Sequence, residues 1–130
     1  MTSLSKGADT TAHARMAQRY AQAARGFSRP RRFSADIRVR FGDTPVLVSV
    51  REGRVVAAEI ARGPLASWDF SLSAGADAWT RFWQPVPEAG WHDIFALSKR
   101  GAMAIEGNLQ PLMANLQYVK DLAAAGRGKA

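Results

Sequence analysis

The chain has 130 residues, 47% of them hydrophobic and 22% charged, with a formal net charge of +7. That length suits one domain with a real core. The absence of cysteine excludes disulfides and thiolate metal sites, and two histidines, His13 and His92, are too few for most transition-metal centres. The charge is lopsided. Residues 1–40 hold nine basic side chains and two acidic ones, while the other ninety residues hold nine of each sign. A basic arm on a neutral body points to an acidic partner or to a solvated helix face.

Residues 1–10 show no periodicity and are expected to lack order. A helix is predicted over about 10–26, from Ala12, Met16, Tyr20, Ala23 and Phe27 at spacings of three and four. The basic connector FSRPRR follows. Four strand signals come next: Ile37, Val39 and Phe41; Val46, Val48 and Val50; RVVAAEI; and Trp68, Phe70 and Leu72. The breaks between them are Gly42–Pro45, Glu52-Gly53 and Arg62-Gly63-Pro64. Period-two segments with short turns predict an antiparallel meander with one wet and one buried face.

The period then changes. Trp79, Phe82 and Trp83 fall on one helix face, and the proline-rich run 84–90 ends that helix. A second short helix is predicted over about 91–99, then a strand at 102–106, then a closing helix. Asn108 is placed to cap the closing helix, with Pro111 in its first turn and Leu109, Leu112, Met113, Leu116 and Val119 as its stripe. A sheet with helices gathered on one face is an α+β layer.

Chemistry-bearing patterns are few. Trp91-His92-Asp93 sets a base beside a carboxylate, but adjacent helix residues point different ways. Glu59, Asp69, Glu88 and Glu106 are scattered. The chain has no nucleophile elbow and no glycine-rich phosphate loop. Arg29, Arg31, Arg32, Arg38 and Arg40, interleaved with Phe27, Phe33 and Phe41, would suit a single-strand nucleic-acid binder. Those rings alternate in phase with Ile37 and Val39, however, which suits a buried face better. Trp79, Phe82, Trp83, Trp91 and Phe95 lie close together in sequence, and Met103 and Met113 flank the last turn. Such side chains fill a core or line an apolar pocket.

The stretches SWDFSLSAGADAWTRFW (67–83) and GAMAIEGNLQPLMANL (101–116) carry a resemblance. Together with the order of elements, they resemble the sterol carrier protein 2 (sterol-transfer) domain family over roughly residues 12–123. Gly101, Met103, Ile105 and Gly107 match its late strand motif, with Asn108 where aspartate is common. The resemblance implies a five-stranded, mostly antiparallel sheet backed by helices on one face. It implies a non-catalytic lipid carrier without cofactor or metal, holding a sterol, fatty acid or acyl-CoA-like ligand in an apolar tunnel. The alternative is an accessory subunit of the same fold with a vestigial pocket.

On this reading Trp68, Phe70 and Leu72 form the floor. Trp79, Phe82, Trp83, Phe95, Met103, Ile105, Leu112, Met113 and Leu116 form the wall, and the loop 84–90 edges the mouth. Residues 11–124 are the expected domain, between a disordered start at 1–10 and a disordered tail at 125–130. A cytoplasmic location is expected, with an anionic membrane, a second copy or an enzyme as further partners. Nucleic acid is the less favoured one.

Overall fold

The computed structural model describes residues 2–61 and 67–127, with side chains from residue 11 onward. The break expected at Arg62-Gly63-Pro64 lies outside the described residues, as do Met1 and residues 128–130. Helix α1 (Thr2–Arg25) leads into strands β1 (Ala35–Phe41), β2 (Thr44–Arg51), β3 (Arg54–Ile60) and β4 (Phe70–Ala74). Helices α2 (Ala76–Phe82) and α3 (Ile94–Lys99), strand β5 (Met103–Gly107) and helices α4 (Leu109–Ala114) and α5 (Leu116–Ala123) follow. A 3-10 turn at Ala124–Gly126 ends the series.

The five strands form one mixed sheet in the order β3-β2-β1-β4-β5. Alternation of apolar and polar residues decides which side faces the helices. In β1 every second residue, from Ala35 to Phe41, is buried. Across the register, Ile37 sits beside Val48 and Phe70, and Leu72 lies between Val39 and Ile105. The β2–β3 hairpin turns on Glu52 (φ 51°) and Gly53 (φ 79°), a pair of positive dihedrals that the twist of a tight hairpin favours. A Cβ on Gly53 would collide with the carbonyls of Arg29 and Arg31, so glycine also lets the connector lie against the turn.

Four expectations need correction. The meander stops after β3, because β4 pairs with β1 in parallel instead of with β3. Period-two patterning marks a strand but not its neighbour, and a parallel pair needs a longer connection than a hairpin turn. The α1 contact face is Ala17, Tyr20, Ala21 and Ala24, while Ala12 and Ala23 are exposed. Alanine adds little to an apolar stripe, yet it lets a helix backbone approach a sheet.

The second short helix starts at Ile94, leaving Trp91 and His92 in the loop, because Asp93 Oδ1 accepts the Phe95 amide at 2.7 Å and caps it. The closing helix is two helices. Asn115 (φ −132°, ψ 44°) breaks it, with its Nδ2 donating to Pro111 O at 3.1 Å and its Oδ1 accepting from Arg31 Nε at 2.9 Å. Asparagine competes for backbone partners in this way, which is why it interrupts helices. The cap at Asn108 stands as expected, accepting the Gln110 amide at 3.2 Å.

Candidate apolar ligand site

The predicted floor and wall residues divide into groups. Phe70, Leu72, Trp79, Phe82, Met103 and Leu112 are buried. Around Trp79 the aromatic rings interlock: Phe41 lies 4.8 Å from it and Trp83 5.3 Å, centroid to centroid. Tyr20 stacks on Trp83 at 5.8 Å with a 7° interplanar angle. The polar atoms of these rings are satisfied as well. Trp79 Nε1 donates to Arg40 O at 3.1 Å, Trp83 Nε1 to Ala123 O at 2.9 Å, and the Tyr20 hydroxyl to Leu122 O at 2.9 Å. The last two bonds serve carbonyls at the end of α5, which a helix C-terminus otherwise leaves open. Gly126 then lies flat on Trp83, for a Cβ there would come within 2.7 Å of the indole. Tyr20 and Phe41 are not among the predicted site residues. Both sit on apolar stripes, and only the third dimension brings them to Trp79 and Trp83.

A second group lies along β5, α3, α4 and the start of α5. Phe95, Ile105 and Leu116 are half-buried against the core. Met113 is 56% exposed and Leu109 41% exposed, although both belong to the closing stripe. Leu112 is the one buried residue of α4. Lys120 ties the neighbouring elements together: its Nζ meets Asp93 Oδ2 at 2.8 Å and lies 5.8 Å from the centre of the Phe95 ring.

Trp68 stands apart from both groups. Its strand begins only at Phe70, so the alternation does not carry Trp68 onto the buried face. The Arg38 guanidinium lies 4.5 Å over its ring. Trp91 is also apart, with Arg81 at 4.6 Å and Arg100 at 4.3 Å over its ring. It borders a depression of about 420 Å³ beside the proline-rich loop, lined by Arg81, Gln84, Val86, Glu88 and Trp91. Two further depressions, of about 350 and 460 Å³, flank α1. None of the three is lined by a predicted floor or wall residue.

The crystal structure of a sterol carrier protein 2 matches this architecture with a TM-score of 0.57, covering 95% of this chain and 96% of that one at 18% identity. The chain has the sterol carrier protein 2 fold. A conserved hypothetical protein of Thermus thermophilus aligns at a TM-score of 0.47 and 17% identity, covering 85% of this chain and 78% of its own. A UbiJ-SCP2 ubiquinone synthesis protein aligns at 0.47 and 15%, covering 97% of this chain and 93% of its own. No family model and no curated protein sequence matches the chain.

Within this sterol carrier protein 2 fold the titratable groups serve structure. Burial pushes the Tyr20 phenol far above its usual range, and burial pushes Tyr118 up to about 12 against the pull of Arg29. Burial also acts to raise Asp93, but hydrogen bonds from Lys120 and the Phe95 amide outweigh it and hold the carboxyl below its usual range. Asp93 is thereby committed to Lys120 and a helix cap, not to His92. His13 Nε2 accepts the Ala76 amide at 3.3 Å at the start of α2. Among the described residues, no three His, Asp or Glu side chains form a metal-binding group, and no helix is long and apolar enough to cross a membrane.

Proposed function

We propose that this chain is a non-catalytic carrier of an apolar ligand, a sterol, fatty acid or acyl-CoA-like molecule, working in the cytoplasm with residues 11–124 as one binding domain. One observation carries the reading: apolar side chains along the β5–α3–α4 edge are left without cover. Leu109 and Met113 stand exposed on α4, and Phe95, Ile105 and Leu116 are half-buried on α3, β5 and α5. A hydrocarbon chain laid along that edge gains about 0.8 kcal/mol per methylene buried, on the order of 10 kcal/mol for a long acyl chain before ordering costs. Helix α4, which buries only Leu112, is the element that moves to admit it. Anionic membrane is the proposed loading surface. Arg29, Arg31 and Arg32 lie on the connector, and Arg31 Nη2 reaches the α4 carbonyl of Ala114 at 3.0 Å.

The second reading is an accessory subunit with a vestigial pocket, bound to a second copy or to an enzyme. The interlocked rings of Tyr20, Phe41, Trp79 and Trp83 favour it, since the proposed wall residues Trp79 and Trp83 pack on each other and on their neighbours. Titration of the delipidated protein with a fluorescent fatty acid decides between the two. Saturable binding below ~10 μM supports the carrier. No binding, with a stoichiometric protein partner on purification from its own host, supports the subunit. Flotation with vesicles tests the loading surface, and equal binding to neutral and acidic lipid would count against it.

A further inference from the structure

We propose that the sheet face turned away from the helices carries an oxyanion site on the parallel β1–β4 ladder, built for a phosphate group. The register sets Arg38 opposite Ser71 and Arg40 opposite Ser73. Residues two apart in a strand share a face, so both rungs project opposite Val39 and Leu72. Arg38 Nε donates to Ser71 Oγ at 2.8 Å, and Ser71 Oγ lies 3.3 Å from Ser73 Oγ. Stacking on Trp68 fixes the Arg38 fork from the other side. Ser71 is fully buried, which shelters the floor of the site.

The neighbouring charges sharpen the point. Arg51, on the same face, is answered by Asp36 Oδ1 at 3.0 Å. Arg38 has only a neutral hydroxyl and an indole. Arg40 is a half-buried residue, and among the described residues its guanidinium has neither a hydrogen-bond acceptor nor a carboxylate within ion-pair range. Glu106, opposite Ser71 on the β5 side, and Glu59, opposite Leu47 on β3, form no ion pair with either arginine. Two like charges on adjacent rungs repel, and a charge on a partly buried residue is costly to leave without a partner. A phosphate resolves both: each arginine offers a planar fork that matches its oxygens, and the Ser73 hydroxyl adds a further donor. The site lies on the opposite side of the sheet from the apolar layer, so it stands or falls independently of the carrier reading.

Trp68 reports on the site, because an anion that engages Arg38 changes the charge over its ring. Titration with inorganic phosphate at constant ionic strength is followed by tryptophan fluorescence and by backbone amide shifts. The expected result is a saturable change at about millimolar phosphate or below, with shifts centred on Arg38, Arg40, Ser71 and Ser73. R40Q weakens it about tenfold or more, and S73A, which leaves both charges in place, weakens it less. R51Q leaves it unchanged. W68F removes the optical signal but not the amide shifts. A parallel arm with phenyl phosphate separates the sources: tighter binding than inorganic phosphate assigns the site to an organic phosphate ester, and equal binding assigns it to the free ion. A non-saturating response, shifts centred on Arg29, Arg31 and Arg32, or unchanged affinity in both R40Q and S73A overturns the proposal.

Discussion

The two ends of the helical layer use similar apolar side chains and pack them differently. At the end formed by α2 and α5, large rings touch one another, and their hydroxyl and indole hydrogens are spent on backbone carbonyls. At the β5–α4 end, the stripe Leu109, Leu112, Met113 and Leu116 seats one residue fully and leaves two exposed. The first arrangement is over-determined, because moving Tyr20, Trp79 or Trp83 breaks both a packing contact and a hydrogen bond. In the second, Leu112 is the one buried side chain of α4, and the helix is otherwise held by its Asn108 cap and by the bonds that Arg31 and Asn115 make to its end. Apolar content alone therefore does not separate a rigid core from a movable wall. The number of independent restraints on each side chain does.

The largest test of the contrast is Trp79→Ala. A fully buried indole packed on Phe41, Phe82 and Trp83 leaves a void that its neighbours cannot close, at a cost of about 3–5 kcal/mol in equilibrium urea unfolding. A loss below about 1 kcal/mol, with weakened fatty-acid binding, would instead mark Trp79 as the lining of a ligand cavity.

Tyr118→Phe probes the firm end more gently. The Tyr118 hydroxyl donates to Gly53 O at 2.8 Å and its ring meets Phe27 and Phe33 edge-on at 5.1 and 4.8 Å. Gly53 O keeps its bond from the Arg29 amide at 3.0 Å, so the expected cost is about 1 kcal/mol. The variant also changes the alkaline limb. A phenol raised to about 12 contributes stability that is complete below its unfolded value near 10 and is lost as pH rises through about 12. In unfolding curves taken across that range, the variant should lose the contribution that belongs to Tyr118.

Much of this was legible in the sequence, for a reason that also marks its boundary. Alternation in ADIRVRF and VLVSVR announces strands with one buried face, and Asn108 announces a helix start, because both are written in neighbouring residues. The β1–β4 pairing is not, since no local pattern says which strand lies beside which. The break at Asn115 is held in part by Arg31, which is remote in sequence. The same limit applies to the candidate site. Trp79, Phe82 and Leu112 stand out for their apolar character, and they are buried. Whether such residues face a ligand or each other depends on Tyr20 and Phe41, contributed by other elements.

Asp93→Ala acts where the firm end meets the loose one. It removes the cap of α3 and the partner of Lys120 on α5, at a cost of about 1 kcal/mol. Its pH signature has a definite sign. A carboxyl depressed in the folded state contributes stability present above its unfolded value near 4 and lost as pH falls through the lower folded one. Acid unfolding of the wild type should show that loss, and the variant should show a shallower slope.

Met113→Ala is the smallest change for the fold and the sharpest for the comparison. The side chain is 56% exposed, so unfolding free energy should move by no more than about 0.5 kcal/mol. If the edge is where a hydrocarbon chain lies, the same substitution removes apolar surface that the ligand would cover. Loss of the contact equivalent of one or two methylenes weakens fatty-acid binding about fourfold to fifteenfold. Stability and affinity thus move independently at Met113, whereas at Trp79 the loss falls on stability. Unchanged affinity in Met113→Ala, alongside measurable binding by the wild type, would move the entry route away from α4 and leave the firm end as the place to look.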